Sequence, residues 1–266
     1  MRFRSREFRL KRVLAGVGVL ALLLALCCGY GIMVEPRWVR VVDLSLSDSP
    51  SLKLVHISDL HHKGDQNRRD KVVRLVNDIE PDIVCFTGDI VEDERHLAPA
   101  LAALEQIRAP VFAVPGNWEH WAGTDLSLVD DSCKKTGGAL LVNSSAEFWD
   151  DWVIVGVDDT STGHGVIEKA FAAVEPGDKV IFLTHSPTGI EMLDERRVAL
   201  ALAGHSHGGQ VRLPVVGALR LPAGVGRYGR GYFDTPNGPL YVNPGIGTWF
   251  VPVRFLCRPE ITVVSL

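Results

Sequence analysis

Residues 52–61 read Leu-Lys-Leu-Val-His-Ile-Ser-Asp-Leu-His, a short apolar run that stops at Asp59 and His61. The run over residues 52–57 has the length and branched side chains of a buried strand, and the polar residues 47–50 before it indicate a turn. Two polar side chains directly after a strand suit a site at the carboxyl edge of an open α/β sheet. This stretch therefore predicts both an α/β fold and the place where its chemistry lies.

The same arrangement, an apolar run followed by polar residues, recurs along the chain. The later runs cover residues 83–87, 111–114, 180–183 and 198–203, and they lead into Gly88-Asp89, Gly116-Asn117, Thr184-His185 and Gly204-His205. Helical spacing fills the intervals at residues 68–79, 97–107, 126–135 and 167–174. Such alternation predicts mixed sheets packed between helices. After Gly204 the pattern predicts hairpins through residues 210–213, 231–233, 240–242 and 261–265.

Seven side chains at these strand ends are candidate metal ligands: Asp59, His61, Asp89, Asn117, His185, His205 and His207. Carboxylate, imidazole and amide donors without a thiolate suit hard and borderline divalent ions. A carboxylate has two oxygens and can bridge two ions, and Asp89 is the predicted bridge. Two ions held about 3.5–4 Å apart can clamp a phosphoryl group and bind a hydroxide nucleophile. The residues thus predict a phosphohydrolase that cleaves phosphate ester or phosphoanhydride bonds with metal-bound hydroxide.

The ordered motifs Asp-Leu-His, Gly-Asp, Gly-Asn, Thr-His and Gly-His-Ser-His resemble the calcineurin-like metallophosphoesterase superfamily. Residues 204–214 and 258–261 resemble its branch of small bacterial membrane-associated phosphodiesterases. The resemblance covers about residues 50–265 and implies a four-layer α/β/β/α sandwich of two mixed sheets. It also implies two divalent ions, with Mn, Fe or Zn expected. One would be held by Asp59, His61, Asp89 and His207, and the other by Asp89, Asn117, His185 and His205.

One position departs from the superfamily pattern. A histidine usually follows the motif asparagine and serves near the leaving group, whereas this chain has Trp118, followed by Glu119 and His120. Either His120 replaces that histidine, or the leaving group needs little acid assistance. The predicted catalytic residues are accordingly Asp89, Asn117 and His120. Arg212 and Arg227 are the predicted substrate-binding residues, because arginine recognises phosphate with two hydrogen bonds.

The N-terminus predicts a membrane anchor. Residues 1–12 carry about five net positive charges, and residues 13–34 carry none. As a helix, the uncharged stretch would span roughly 33 Å, enough to cross a bilayer. The positive-inside rule then predicts a single-pass protein of the cell membrane with its catalytic domain on the non-cytoplasmic side. A cleaved export signal is the alternative. The predicted division is an anchor over residues 1–35 and a metallophosphoesterase domain over residues 36–266.

The formal net charge of −4 argues against nucleic acid as a partner, because nucleic-acid binding leaves a basic stripe. A phosphorylated small molecule or a lipid is the expected substrate. One alternative activity is hydrolysis of the pyrophosphate in UDP-2,3-diacylglucosamine during lipid A synthesis, which needs a cytoplasm-facing site. Another alternative is a metal-binding regulatory protein with weakened catalysis. Of the five cysteines, only Cys133 and Cys257 are candidates for a disulfide, and the sequence leaves this open.

Overall fold

A computed structural model describes the backbone of residues 2–266 and the side chains of residues 11–266. The charged side chains of residues 1–10, which contribute to the predicted basic N-terminus, lie outside the described side chains. The helices are α1 (Arg2–Gly29), α2 (Gln66–Ile79), α3 (Leu97–Leu104), α4 (Asn117–Trp121), α5 (Leu126–Lys135) and α6 (Ile167–Ala170). Shorter turns of other helix types cover Tyr30–Val34, Glu35–Arg37, Glu94–His96, Pro187–Leu193 and His207–Gly209.

Within the described residues, fourteen strands form two large sheets and one small one. The strands are β1 (Arg40–Ser45), β2 (Lys53–Ile57), β3 (Ile83–Phe86), β4 (Val111–Ala113), β5 (Ala139–Leu140), β6 (Ser144–Trp149), β7 (Trp152–Gly156), β8 (Lys179–Leu183), β9 (Leu200–Ala203), β10 (Arg212–Leu213), β11 (Gly217–Ala218), β12 (Gly231–Thr235), β13 (Gly238–Val242) and β14 (Glu260–Ser265). The first sheet has the order β1-β14-β2-β3-β4-β5 and the second β12-β13-β9-β8-β7-β6. Both sheets contain parallel and antiparallel pairs, and β10 pairs only with β11.

The two sheets face each other through a shared apolar layer, and each has helices on its outer side. In β2, Leu54 joins the layer between the sheets, whereas Val55 joins the outer layer that includes residues of α2 and α3. In β9, Leu202 and Ala201 divide in the same way, and Ala201 shares its layer with Ile167 of α6. Successive strand residues point to opposite faces, so each strand supplies both layers. This helix–sheet–sheet–helix order confirms the predicted four-layer sandwich of two mixed sheets.

The chain after Gly204 differs in part from the predicted series of hairpins. Strands β12 and β13 do form an antiparallel hairpin, with Tyr232 opposite Tyr241. The hairpin prediction for residues 261–265 was wrong, because β14 lies between β1 and β2, parallel to the first and antiparallel to the second. Hydrophobic periodicity predicts which residues of a strand are buried, but it cannot predict that the strand pairs with one from the other end of the chain.

Helix α1 leads directly into the folded domain. Among the described residues, Lys11–Arg37 is the one segment long and apolar enough to cross a membrane, and its apolar side chains are exposed. The residues just after α1 pack on the domain: the backbone N–H of Arg254 donates to the carbonyl of Gly31 at 2.9 Å. The buried carboxylate of Glu35 accepts a hydrogen bond from the backbone N–H of Leu256 at 2.9 Å. The end of the apolar helix is therefore joined to the loop that precedes β14.

Candidate metal centre

The centre begins at two loops that leave neighbouring parallel strands. Asp59 and His61 follow β2, and Asp89 follows β3. The two loops are joined by backbone hydrogen bonds from Asp59 to Gly88 and from His61 to Asp89, each 3.0 Å long. All three candidate ligands have positive φ, between 39° and 59°. Non-glycine residues adopt this conformation at a cost, and such residues cluster at functional sites.

Two glycines allow the backbone to approach the carboxylates closely. A Cβ on Gly116 would lie 2.3 Å from Oδ1 of Asp89, and one on Gly204 would lie 2.5 Å from Oδ2 of Asp59. Both distances are far below van der Waals contact, so neither position accepts a side chain without movement. The glycines of the Gly-Asn and Gly-His motifs thus bring their strand ends against the aspartates.

A first cluster contains Asp59, His61, Asp89 and His207, all buried, with donor atoms within 4.8 Å of one another. Nε2 of His61 lies 3.4 Å from Oδ2 of Asp89, and Nε2 of His207 lies 3.4 Å from Oδ1 of Asp59. The two imidazoles point their Nε2 atoms at each other across 3.1 Å. These four residues are the set predicted for one ion.

A second cluster contains Asp89, His185 and His205, again buried. Nε2 of His185 lies 3.3 Å from Oδ2 of Asp89, 3.0 Å from Oδ1 of Asn117 and 3.0 Å from Nδ1 of His205. Asn117 is thereby brought to the same point as the other three donors. Asp89 belongs to both clusters, as expected of a bridging carboxylate.

The donor set fits two divalent ions. Several imidazole nitrogens face one another or a carboxylate in a buried space, and Nδ1 of His207 has no hydrogen-bond partner among the described residues. Nitrogen and oxygen donors in this mixture suit borderline divalent ions such as Zn, Mn and Fe. The arrangement therefore provides residues that could hold two ions, and it leaves the choice of metal open.

The electrostatics of the cluster also favour bound cations. Burial would lower the pKa of His61, but hydrogen bonds with Asp89 and Glu92 and the aspartate charges raise it to about 9. Burial would likewise lower the pKa of His185, but the charge and hydrogen bond of Asp89 raise it to about 10. Burial would raise the pKa of Asp89, yet the two histidines hold it well below its usual range. The carboxylates thus attract positive charge into the centre.

The outward-facing ring nitrogens of His61, His185 and His205 lie against neighbouring residues, whereas Nδ1 of His207 has no hydrogen-bond partner among the described residues. Nδ1 of His61 lies 3.0 Å from the carboxylate of Glu92, and Lys63 lies 2.8 Å from the other oxygen of that carboxylate. Nδ1 of His185 donates to the carbonyl of Thr87 at 2.6 Å, and Nε2 of His205 to that of Ala223 at 2.6 Å. Such partners fix the orientation of ligand histidines.

Glu119, which the sequence analysis assigned no role, connects the strand-end loops. Its buried carboxylate accepts backbone hydrogen bonds from Asp89 at 2.9 Å, Ile90 at 2.7 Å and Gly116 at 2.7 Å. Burial raises its pKa, and the charge of Asp89 raises it further. Its position two residues after the candidate ligand Asn117 placed it near the site. Spacing alone, however, cannot show that its side chain turns back to bind the loops of Asp89 and Gly116.

A pocket of about 280 Å³ opens onto the centre. Four candidate ligands line it: Asp89, Asn117, His205 and His207. Trp118, Trp121, Trp249 and Arg220 also line it, and the Arg220 guanidinium lies 5.8 Å from the Trp249 ring centre. The pocket thus combines a positive charge with aromatic walls, and the sequence analysis missed Arg220 because many arginines occupy the Gly-rich segment.

The three predicted site residues that are not candidate metal ligands, His120, Arg212 and Arg227, are not among the described side chains that line this pocket. His120 has Nε2 2.7 Å from the Asp158 carboxylate, and its ring stacks on His164 at 3.9 Å. Arg212 donates to the Gly208 carbonyl at 2.8 Å, and Arg227 lies over the ring of its neighbour Tyr228 at 5.1 Å. Cys133 and Cys257 are both buried free thiols, not a disulfide.

Residues 52–209 match the calcineurin-like phosphoesterase family, which is more than half of the chain. The chain belongs to this family. It is a phosphoesterase of the hydrolase class, as the sequence predicted, and members typically bind two divalent metals.

Relatives extend over nearly the whole chain. The metallophosphoesterase YkuE of Bacillus subtilis is 28% identical, with 100% of this chain and 99% of that protein aligned. The phosphodiesterase YaeI of Escherichia coli is 28% identical over 91% of this chain and 94% of its own length. A transmembrane protein with a metallophosphoesterase domain from Bos taurus is 30% identical over 87% of this chain and 57% of its own length. Relatives with transmembrane names and the apolar α1 fit membrane association.

Solved structures share the fold. The dimetal phosphatase from Danio rerio has a TM-score of 0.53 and 14% identity, covering 82% of this chain and 99% of its own. The protein TT1561 from Thermus thermophilus has a TM-score of 0.50 and 14% identity, covering 73% of this chain and 90% of its own. Both likenesses support the sandwich architecture.

Replacing Glu119 with Gln is expected to weaken metal binding. Glutamine has one acceptor oxygen in place of two, so either the N–H of Ile90 or those of Asp89 and Gly116 lose their partner, and the Asp89 loop shifts. Loss of a supporting contact behind a ligand typically costs about 10–100-fold in metal affinity. Titration of the metal-free chain with Zn²⁺ or Mn²⁺ measures this, and exposed Glu147→Gln is the control. Equal affinities in both variants would contradict the holding role of Glu119.

Metal binding is expected to release protons at neutral pH. His61 and His185 have raised pKa values in the metal-free fold, so both carry a proton below about pH 9 that an ion must displace. Metal affinity should therefore rise with pH up to about 9–10. The metal-free fold should show the opposite trend, because stability from a raised histidine pKa is present below about pH 6.5 and is lost as pH rises through the folded value.

Calorimetry in buffers of different ionisation enthalpy counts the released protons, and thermal unfolding between pH 6 and 10 follows the stability. Proton release near zero at pH 7, or metal-free stability that rises over this interval, would contradict the assignment.

Proposed function

We propose that this chain hydrolyses phosphodiesters or phosphoanhydrides at a two-metal centre. The observation that carries the proposal is the position of Asp89, whose Oδ2 lies 3.4 Å from His61 and 3.3 Å from His185. One carboxylate oxygen thereby touches both clusters. Asp59, His61, Asp89 and His207 would hold one ion, and Asp89, Asn117, His185 and His205 the other. When bound, such ions neutralise phosphoryl charge and lower the pKa of a water molecule.

The pocket residues orient the substrate. The Arg220 guanidinium on the pocket wall supplies a charge complementary to a phosphate. Trp118, Trp121 and Trp249 line the same space, so a bound substrate would contact indole rings beside the metal ligands. Among the predicted substrate-binding residues, Arg212 and Arg227 are not described as lining this pocket. His120 would have to leave the Asp158 carboxylate to act on a substrate.

Trp118 narrows the choice of leaving group. The indole Nε1–H is a donor that does not titrate, so Trp118 cannot supply a proton in the way that the family's histidine does. A leaving group of low pKa, such as a phosphate, departs without protonation. The proposal therefore favours substrates with acidic leaving groups.

The chain would act at the cell membrane, with an anchor over residues 1–35 and the catalytic domain over residues 36–266. The positive charge predicted at the N-terminus would place that domain on the non-cytoplasmic side. Hydrolysis of UDP-2,3-diacylglucosamine would need the opposite orientation, and a reporter fused at the C-terminus separates the two. A purely regulatory role is less favoured, since the seven donors converge and a pocket reaches them.

Loss of either a bridging or a terminal ligand is expected to abolish activity. The full-length chain in nanodiscs, stripped of metal and reloaded with Mn²⁺ or Zn²⁺, should hydrolyse bis-p-nitrophenyl phosphate. Asp89→Ala and His207→Ala should lower kcat/KM by at least about 100-fold, since metal ions contribute several kcal/mol to such reactions. His96→Ala, a histidine outside both clusters, is the control. Two bound ions per wild-type chain with no turnover would instead support a binding protein.

Replacing Trp118 with the family's histidine tests whether the tryptophan leaves the centre without a proton donor for the leaving group. Trp118→His should raise kcat for a phenyl phosphodiester by about tenfold or more, because phenolate needs a proton that p-nitrophenolate does not; general acids contribute about 10²–10⁴-fold. Turnover of bis-p-nitrophenyl phosphate should change far less. Trp121→His controls for the loss of an indole, and His120→Gln shows whether that imidazole already supplies the proton. A large loss of phenyl ester turnover in His120→Gln would assign the acid to His120.

A further inference from the structure

An apolar groove lies beside the metal pocket. Its volume is about 310 Å³, and Val211, Leu219, Phe250 and Val251 form much of its wall. The groove and the metal pocket have four lining residues in common: His207, Arg220, Pro222 and Trp249. A molecule with its phosphate at the metal centre can therefore place an adjoining apolar part in the groove.

Exposed apolar side chains lie on the β10–β11 hairpin, whose flanking residues Val211 and Leu219 line the groove, and on the groove wall itself. Val215 is fully exposed and Val216 is 69% exposed, both in the turn between β10 and β11. Phe250, on the groove wall, is 80% exposed. Val215 also has a φ of 67°, in a region that branched residues avoid and where a hairpin turn normally has Gly, Asn or Asp. Contiguous exposed apolar groups of this kind mark contact with a membrane or a protein.

The base of the β10–β11 hairpin lies close to the end of the apolar helix. Phe255 donates a backbone hydrogen bond to Gln210 at 2.8 Å and accepts one from Arg212 at 2.9 Å, at the base of the β10–β11 hairpin. The Phe255 ring meets the ring of Tyr30 edge to face, with centroids 6.3 Å apart. Tyr30 directly follows α1, so the hairpin and the groove sit beside the point where the predicted anchor leaves the membrane.

We propose that the groove binds the hydrocarbon part of a lipid-linked phosphodiester or phosphoanhydride, which enters from the bilayer past Val215, Val216 and Phe250. This rests on the proposed two-metal hydrolysis and on membrane insertion of α1. The occupant is a lipid because the groove shares four lining residues with the metal pocket, and its wall residue Val251 lies three positions before Arg254, whose backbone N–H donates to the Gly31 carbonyl just after the apolar helix. Arg220, common to both cavities, then lies where the phosphate meets the hydrocarbon chain.

A chain-length series tests the proposal. The full-length chain in phosphatidylcholine nanodiscs, loaded with Mn²⁺, is assayed with p-nitrophenyl methyl phosphate and p-nitrophenyl octyl phosphate, which share a leaving group. Each buried methylene contributes about fourfold, so burial of three of the seven added methylenes raises kcat/KM by roughly 60-fold. In Leu219→Ser and in Phe250→Ser the octyl-to-methyl ratio should fall at least about fivefold. The control Val166→Ser, exposed and distant in sequence from the groove, should keep the wild-type ratio.

Partition of the octyl ester into the nanodisc is the same for every variant. A difference between variant and wild type in the octyl-to-methyl ratio of kcat/KM therefore reports on the groove alone. Methyl ester turnover with a wild-type ratio near one would overturn the inference and leave the proposed hydrolysis intact. A high ratio that both groove variants retain would overturn it as well. A change of oligomeric state in those variants would show that a second copy of the chain covers the groove. No turnover of either ester by the wild type would overturn the proposed function, and this inference with it.

Discussion

The carboxylate of Asp89 is the point on which both halves of the centre depend. It lies at the end of β3, and its side chain reaches one histidine of each cluster. Helix α4 holds it from behind: Glu119 accepts its backbone N–H, and Trp118 donates a backbone N–H to its Oδ1 at 2.9 Å. A buried carboxylate is costly unless it is paired or hydrogen-bonded. His61 and His185, each within 3.4 Å of its Oδ2, supply that pairing, and the same carboxylate raises their pKa values.

A second buried ion, the guanidinium of Arg254, connects this centre to the apolar helix. It donates to the carbonyls of Pro244 at 2.8 Å, Gly245 at 3.1 Å and Cys257 at 3.0 Å, and its backbone N–H donates to Gly31. The loop it holds also contacts the ligand loop, since the N–H of Gly247 donates to the Asp59 carbonyl at 2.7 Å. The height and orientation of the centre above a membrane would thus be set by protein contacts rather than by a flexible linker.

The metal ligands and the walls of the pocket have different chemical character. The seven donors follow the family pattern, whereas the walls of the pocket consist of indole rings, one guanidinium and the apolar groove beyond them. The same set of metal ligands can act on many phosphoesters, so the choice of substrate depends on the residues that line the pocket. Trp118 removes an acid and adds an apolar surface at the same place, so its effect on the leaving group and its effect on substrate shape arise from one substitution.

The sequence by itself determined the strand ends, the helix intervals, the apolar segment and the seven candidate ligands, because each depends on a local pattern of burial and polarity. The strand-end motifs were informative since parallel strands bring their carboxyl ends to one edge. Only the tertiary structure decided that β14 enters the first sheet and that Glu119 joins two loops. It also placed Arg220 in the pocket, and left Arg212, Arg227 and His120 outside its lining. Those outcomes depend on contacts between distant segments and on side-chain direction, which no spacing along the chain encodes.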